Sequence, residues 1–308
     1  MLFGEIPPST PIATGFPPFG VGNPEVKTFH SWGAFLDYCE TAPSTIADAN
    51  RLSRTHDADR WVGCADWDAT VKLAREGWKS GEEKVRAVSR RLEARLLHKI
   101  VREDTNYDVE GMAFDVARYL HGEPEHWLRP EETTAIVEHG TKHVKLVVNV
   151  SASAGVSAEA ITARGAATAA LVELLEYGDH HVEVWAMDAS TFAYNNERPK
   201  PPVHVDLVKL KAYDQPLDMG RLAFALAHPG MLRRLCFSAA ESADPSIVRW
   251  VSHANSYGYP AEYTPEGTSI YLPGSKLWDK DCNWTSPESV EVWLLAQLAK
   301  QNIILRDD

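Results

Sequence analysis

Lys145-Leu-Val-Val-Asn-Val-Ser-Ala-Ser153 decides the reading of this chain. The aliphatic run from Leu146 to Val150 passes directly into small hydroxyl residues, and an alanine- and leucine-rich stretch from Val156 to Glu176 follows. The pattern predicts a buried strand, a loop and then a long helix. In an α/β domain that junction is where ligands are held, beyond the carboxyl ends of the strands.

Outward from this unit, strand-like and helix-like runs alternate. Tyr177-Gly-Asp179 reads as a turn into a strand at Val182–Met187, and Val203–Lys211 alternates apolar and polar residues as a half-exposed edge strand paired with it. Helix Met219–Ala227, strand Leu232–Phe237, helix Pro245–Ser256, strand Ser269–Leu272 and helix Pro287–Lys300 complete the series. Such alternation predicts an α/β fold with a mostly parallel sheet flanked by helices.

The spacing Asn149-x-Ser151-x-Ser153, with this element order over residues 141–308, resembles the von Willebrand factor A domain. The resemblance implies a fold of that kind and a magnesium site shared by an Asp-x-Ser-x-Ser loop, a threonine and an aspartate on neighbouring loops. Here Asn149 stands in place of the acid, no threonine occupies the second loop at Tyr213–Asp218, and the third loop offers Ser238 or Glu241. Asn149, Ser151, Ser153 and Asp218 are the candidate magnesium ligands. A degenerate loop with no cofactor is the other reading, because magnesium is usually held through one or two carboxylates. Hydroxyls ahead of a helix also have a structural use, accepting from its first free amides.

Upstream the organisation changes. Six prolines within residues 1–24 (Pro7, Pro8, Pro11, Pro17, Pro18 and Pro24) remove backbone donors and block helices, predicting an extended arm. Residues 25–140 read as a smaller, mainly helical, tryptophan-rich domain, with one short helix at Ser31–Tyr38 and another that Asp66 caps and Gly77 stops. Arg129-Pro-Glu-Glu132 marks the junction to the domain at 141–308. Trp61-Val-Gly-Cys-Ala-Asp-Trp67 and Gly111-Met-Ala-Phe-Asp-Val-Ala-Arg-Tyr-Leu-His-Gly-Glu-Pro-Glu125 resemble proteins carried by bacteriophages and prophages, over about residues 28 to 130. That resemblance brings no activity with it and implies a viral or host protein as partner.

The chain has 308 residues, 44% of them hydrophobic, which is enough for a sizeable core, and a net charge of −12. It has no apolar run of membrane-spanning length, and Met1-Leu-Phe-Gly-Glu5 lacks the basic start of a secretion signal. A cytoplasmic location is expected, in the host cytoplasm or a virion for a phage-encoded protein. Cys39, Cys64, Cys236 and Cys282 are too scattered for a structural zinc site and read as buried thiols.

The negative charge opposes general coating of nucleic acid. One segment runs against it: Lys84, Arg86, Arg90, Arg91, Arg95, Lys99 and Arg102 face Glu93 alone, on a helix whose Val85, Val88, Leu92, Leu96 and Ile100 turn inward. Arg90, Arg91 and Arg95 are candidate phosphate contacts; a solvated face balancing the acidic remainder is the alternative.

Glycine-rich nucleotide loops, His-Glu-x-x-His and the Gly-x-Ser-x-Gly elbow are all missing from the sequence. His180 and His181 begin a strand and point to opposite faces, and Gly140 interrupts the four-residue spacing of His139 and His143. The expectation is a non-enzymatic interaction or assembly protein. Its strand-end loops bind a protein partner through Asp214, Glu241, Trp278 and Trp284, and a homo-oligomer is one form such a partner takes. A nucleic-acid-binding replication accessory factor and a magnesium-dependent adhesion module are the alternatives.

Overall fold

Leu146, Val147 and Val148 are each at most 1% exposed, so successive side chains that point to opposite faces of a strand are all covered. Burial on both sides places this strand between two layers. The computed structural model describes residues 24–47, 51–54, 59–103, 105–110, 113–130, 142–177, 180–191, 203–245, 248, 259–276 and 287–300.

In chain order the elements begin with β1 (Pro24–Phe29), α1 (Trp32–Thr41), a 3₁₀ turn (Leu52–Arg54), α2 (Asp59–Val62), α3 (Trp67–Glu76) and α4 (Lys79–Glu103). A small unit follows: β2 (Thr105–Asp108), β3 (Ala113–Phe114), α5 (Val116–Leu120) and β4 (Trp127–Pro130). Then come β5 (Lys142–Asn149), α6 (Ala158–Tyr177), β6 (His180–Thr191), β7 (Val203–Lys211), α7 (Met219–Ala227), a π-helix (Met231–Cys236) and α8 (Phe237–Glu241). The last described elements are β8 (Tyr259–Pro260), β9 (Ile270–Leu272) and α9 (Pro287–Lys300).

The fold is α/β, with a mixed, mostly parallel sheet flanked by helices. The strand order is β1-β7-β6-β5-β9, with β8 paired to β6 off this path. β5 runs parallel to β6 and β9, and β1 parallel to β7, but β6 and β7 are antiparallel. The helix-facing side carries Val144, Leu146, Val148, Val182, Val184, Val208 and Leu210 against α6 and α7. The other side carries Val147, Trp185, Met187, Val205, Leu207 and, on β9, Tyr271, with Ala261 in the same cluster. α3 and α4 lie outside this layer, α4 against α6 and α7 and α3 against α7.

Three sequence-based expectations change. Leu232–Phe237 is helical; Gly230-Met-Leu-Arg-Arg-Leu-Cys is buried all round, Arg233 and Arg234 included, so its two polar residues do not mark a solvent face from which a helix could be read. β7 is not an edge strand: β1 pairs along it from Pro24↔Val203 to Phe29↔Val208, a partner about 180 residues earlier that local alternation cannot reveal. For the same reason β7 is almost wholly buried, its His204 and Asp206 included.

Nor is the region 25–140 helical throughout, since β2, β4 and β3 form a separate three-stranded antiparallel sheet. One core cluster joins Phe29, Trp32, Phe35, Val71 and Leu92 to Val144, Leu171 and Phe224, so packing crosses the expected junction near residue 141. The arm at 1–23 and most of the helix expected at Pro245–Ser256 lie outside the described residues. Among the described residues no helix is long and apolar enough to cross a membrane.

Candidate functional site

The serine loop leaves β5 as expected, and its polar atoms are held by the protein itself. Asn149 is fully buried; its Nδ2 donates to the Ala261 carbonyl at 2.9 Å, and its Oδ1 accepts from the Ser151 amide at 3.1 Å. Ser151 Oγ lies 2.6 Å from Asp188 Oδ1, accepts from the Ala189 amide at 2.8 Å and sits 3.0 Å from the Ala189 carbonyl. Ser153 is 5% exposed, and its amide donates to the Ser275 carbonyl at 2.8 Å. These bonds stitch the carboxyl ends of β5, β6 and β9 together.

Asp188 extends this network across the sheet. It stands in register with Asp206 on β7, and His204 Nε2 lies 2.9 Å from Asp206 Oδ2. These residues share the helix-facing side, since side chains two apart on a strand point the same way. Burial pushes the Asp188 carboxyl up to about 6, against the Ser151 hydrogen bond and the pull of His204. His204 is itself raised: the Asp206 carboxylate outweighs the burial that opposes protonation. The sequence reading missed Asp188, His204 and Asp206, although the i, i+2 pair of polar residues inside an apolar strand was a visible signal.

Asp218 does not join the serine loop. β7 runs antiparallel to β6, so its carboxyl end at Lys211 pairs with Val184, five residues short of the Ala189 level that Ser151 contacts. At strand rise that is about 16 Å of separation along the sheet. Asp218 instead caps α7, accepting from the Arg221 amide at 3.0 Å. The exposed Asp214 lies at the same far end, beside Tyr213, which stacks on His143. Among the described residues no group of three or more His, Cys, Asp or Glu could hold a metal ion.

Glu241 is fully buried and its bonds are internal: it accepts from the Ser53 amide and hydroxyl at 2.9 and 2.5 Å and pairs with Arg51 at 2.9 Å. It anchors the 3₁₀ turn to α8. Trp278 and Trp284 lie outside the described residues. On α4, Arg90 is exposed and donates back to the Arg86 carbonyl, while Arg91 pairs at 2.7 Å with the buried Glu291 of α9. The Arg95 side chain lies outside the described residues. Arg91 is thus partly neutralised by an acid of the chain itself.

The other face of α4 does something the sequence did not suggest. α4, α6 and the turn after α7 border a cleft of about 570 Å³, with Gly63 and Val290 also in its lining. That volume is ample for a small organic molecule. Its floor is apolar, formed by Val88, Ala163, Ala166, Ala167 and Pro229. Small residues on α6 leave the space, because helices crossing over alanine carry no side chain to fill it.

Trp78 and His228 form one end wall, edge to face with ring centres 4.8 Å apart. Gly81 makes room for the indole, since a β-carbon at 81 would overlap the Trp78 ring. His228 also stacks on Phe224 at 5.0 Å, and its Nδ1 accepts from the Gly230 amide at 3.0 Å, which leaves the ring proton on Nε2. Burial pulls the His228 pKa down to about 4, so the ring is neutral near pH 7. Arg60, Lys84 and Arg91 stand at the rim with Glu159 as the acid among them. Lys84 Nζ lies 5.0 Å from the Trp78 ring centre.

A family model described as a domain of unknown function, DUF7192, matches residues 17–304. Neither a curated protein nor a solved structure gives a significant match to the chain.

Proposed function

The chain belongs to the DUF7192 family, and from that premise we propose that it is a binding protein whose cleft between α4 and α6 takes a small amphipathic anion. One observation carries the reading: an apolar space of about 570 Å³ with an aromatic end wall and cations at its mouth. An apolar body gains by leaving water for the alanine-lined floor, and an acidic group at its end gains from Lys84 and Arg60 at the rim. The neutral His228 ring suits an apolar wall, because it brings no second buried charge.

Interaction with a protein through strand-end loops has less support, since Glu241 and Ser151 are engaged internally. The von Willebrand factor A resemblance is retained for the sheet alone, supported by β5, β6 and β9 running parallel beside an antiparallel β7.

Fluorescence titration tests the proposal with two probes of similar shape, the anionic 8-anilinonaphthalene-1-sulfonate and the uncharged N-phenyl-1-naphthylamine. The anion is expected to bind at one saturable site. Lys84→Glu should weaken the anion about tenfold, the equivalent of one charge-assisted contact, and leave the uncharged probe nearly unaffected. Ala163→Trp, which fills the floor, should remove both. Anion binding that survives Ala163→Trp unchanged would refute the assignment of the cleft.

A further inference from the structure

In sequence, Gly140 interrupts the spacing that would pair His143 with His139, and His181 follows a His180 that points the other way. The sheet supplies the pairing that the chain order hides. β5 and β6 are parallel, and His143 stands opposite His181 in register. Both side chains are exposed, whereas His180 is 8% exposed on the opposite face. The two imidazole centres lie 5.7 Å apart with the rings inclined at 70°.

We propose that His143 and His181 form a surface site for a borderline divalent transition ion, of the zinc, nickel or copper(II) class. A metal–imidazole bond is about 2.0 to 2.1 Å, so an ion bonded to one nitrogen of each ring in tetrahedral geometry holds the ring centres about 5 Å apart. The observed spacing lies within a small side-chain rotation of that value. Imidazole suits these ions and not magnesium or calcium, which take oxygen ligands.

Among the described residues no hydrogen bond engages the ring nitrogens of His143 or His181. Tyr213 stacks on His143 with ring centres 4.7 Å apart and planes at 18°, and contact through the face fixes a ring while its in-plane nitrogen lone pairs stay outside the stack. Two lysines on this face of the sheet are engaged elsewhere. Lys145 Nζ donates to the Glu266 carbonyl at 2.8 Å, and Lys209 Nζ pairs with Glu183 at 3.2 Å. Two protein ligands leave the remaining positions of the ion open to water or to an added donor.

This site lies at the amino ends of β5 and β6, away from the cleft between α4 and α6, and does not depend on the proposed anion binding. Isothermal titration of the untagged full chain with zinc, nickel and copper(II) chlorides tests it, beside the variants His143→Ala, His181→Ala and Tyr213→Ala. The chain has 12 histidines, so the comparison between variants decides the outcome. One equivalent of ion should bind, and each histidine variant should lose at least tenfold in affinity. Copper(II) electron paramagnetic resonance should show two coordinated nitrogens in the native chain and one in either variant. Tyr213→Ala should retain both nitrogens, with weaker binding from a less fixed ring. No binding, or binding that either histidine variant leaves within twofold of the native value, would overturn the assignment.

Discussion

Gly165 of α6 lies against the Leu226 carbonyl of α7 so closely that a β-carbon at 165 would overlap that oxygen and the Ala227 α-carbon. Both obstacles are backbone, so they cannot rotate away as a side-chain tip would. Gly165→Ala should therefore push the two helices apart and cost about 3 kcal/mol, the upper end for overpacking, despite the gain in helix propensity. Gly33 is the control, because a β-carbon there meets nothing within 4 Å and alanine should be neutral or stabilising by up to about 1 kcal/mol. Urea unfolding of both variants checks the pair; similar midpoints would show that the crossing is looser than described.

The buried Glu241 makes a second test of packing across the chain. Its carboxylate gathers Arg51 and the Ser53 amide and hydroxyl, nearly 190 residues away in sequence. Glu241→Ala takes the carboxylate from Arg51, which keeps its contact with Ser238 Oγ, and from two Ser53 donors, and breaking a buried ion pair from one side costs about 3 to 5 kcal/mol. Glu241→Gln keeps an acceptor for Ser53 and should recover part of that loss. Proteolysis near residues 51–54 should quicken in the alanine variant before the sheet unfolds. Equal unfolding midpoints for the two variants would mean that a neutral acceptor recovers nothing and that the carboxylate charge carries the whole interaction.

The legible parts of this molecule were those with local periodicity. β5 and α6 follow from Lys145–Glu176, α7 from its apolar face, and the Asp66 cap of α3 from its position before Ala69, whose amide it accepts at 2.7 Å. What was hidden depends on pairing between distant segments. No local pattern shows that β1 borders β7, that β7 runs antiparallel to β6 and so sends Asp218 away from Ser151, or that His143 meets His181. The π-helix was hidden by its burial, since Arg233 and Arg234 are each 1% exposed and look like surface residues in sequence. Arg233 reaches the Trp61 and Val156 carbonyls and Arg234 reaches the Ser53 carbonyl through Nη1 alone, so charges that a strand reading would have left in solvent are bonded inside the protein instead. The cleft escaped notice because an alanine-rich helix reads as a packing surface whether or not its grooves are filled.

Arg164 closes α6 onto the strand ends that the serine loop leaves. Its Nη2 donates to the Asn149 carbonyl at 2.9 Å and to the Pro273 carbonyl, and its guanidinium lies 5.3 Å from the Trp293 ring centre. Arg164→Met keeps most of the apolar stem and removes the donors, leaving two carbonyls without their partner. A loss of about 2 to 4 kcal/mol is expected in urea unfolding, with faster amide exchange at Ser151 and Ser153 than elsewhere in the sheet. Uniform exchange across the sheet would place the role of Arg164 in packing alone.

The last prediction concerns pH, where Asp188 and His228 oppose each other. Asp188 has its carboxyl raised from 3.8 to about 6, so the folded chain binds more protons than the unfolded one across that window. Its contribution is fully present below pH 3.8 and is lost as pH rises through 6. His228 is lowered from 6.5 to about 4, so here the unfolded chain binds more protons, and stability falls as pH drops from 6.5 toward 4. Each displacement exceeds two pH units and is worth on the order of 3 kcal/mol. The two slopes have opposite signs over nearly the same range and largely cancel in the native chain. Asp188→Asn should uncover the histidine, making stability climb from pH 4 to 6.5 relative to the native chain. His228→Asn should uncover the aspartate, making stability decline over the same interval. Urea midpoints at half-unit steps of pH read both differences directly, and two variants whose offsets from the native chain stay constant with pH would show that neither group changes its proton affinity on folding.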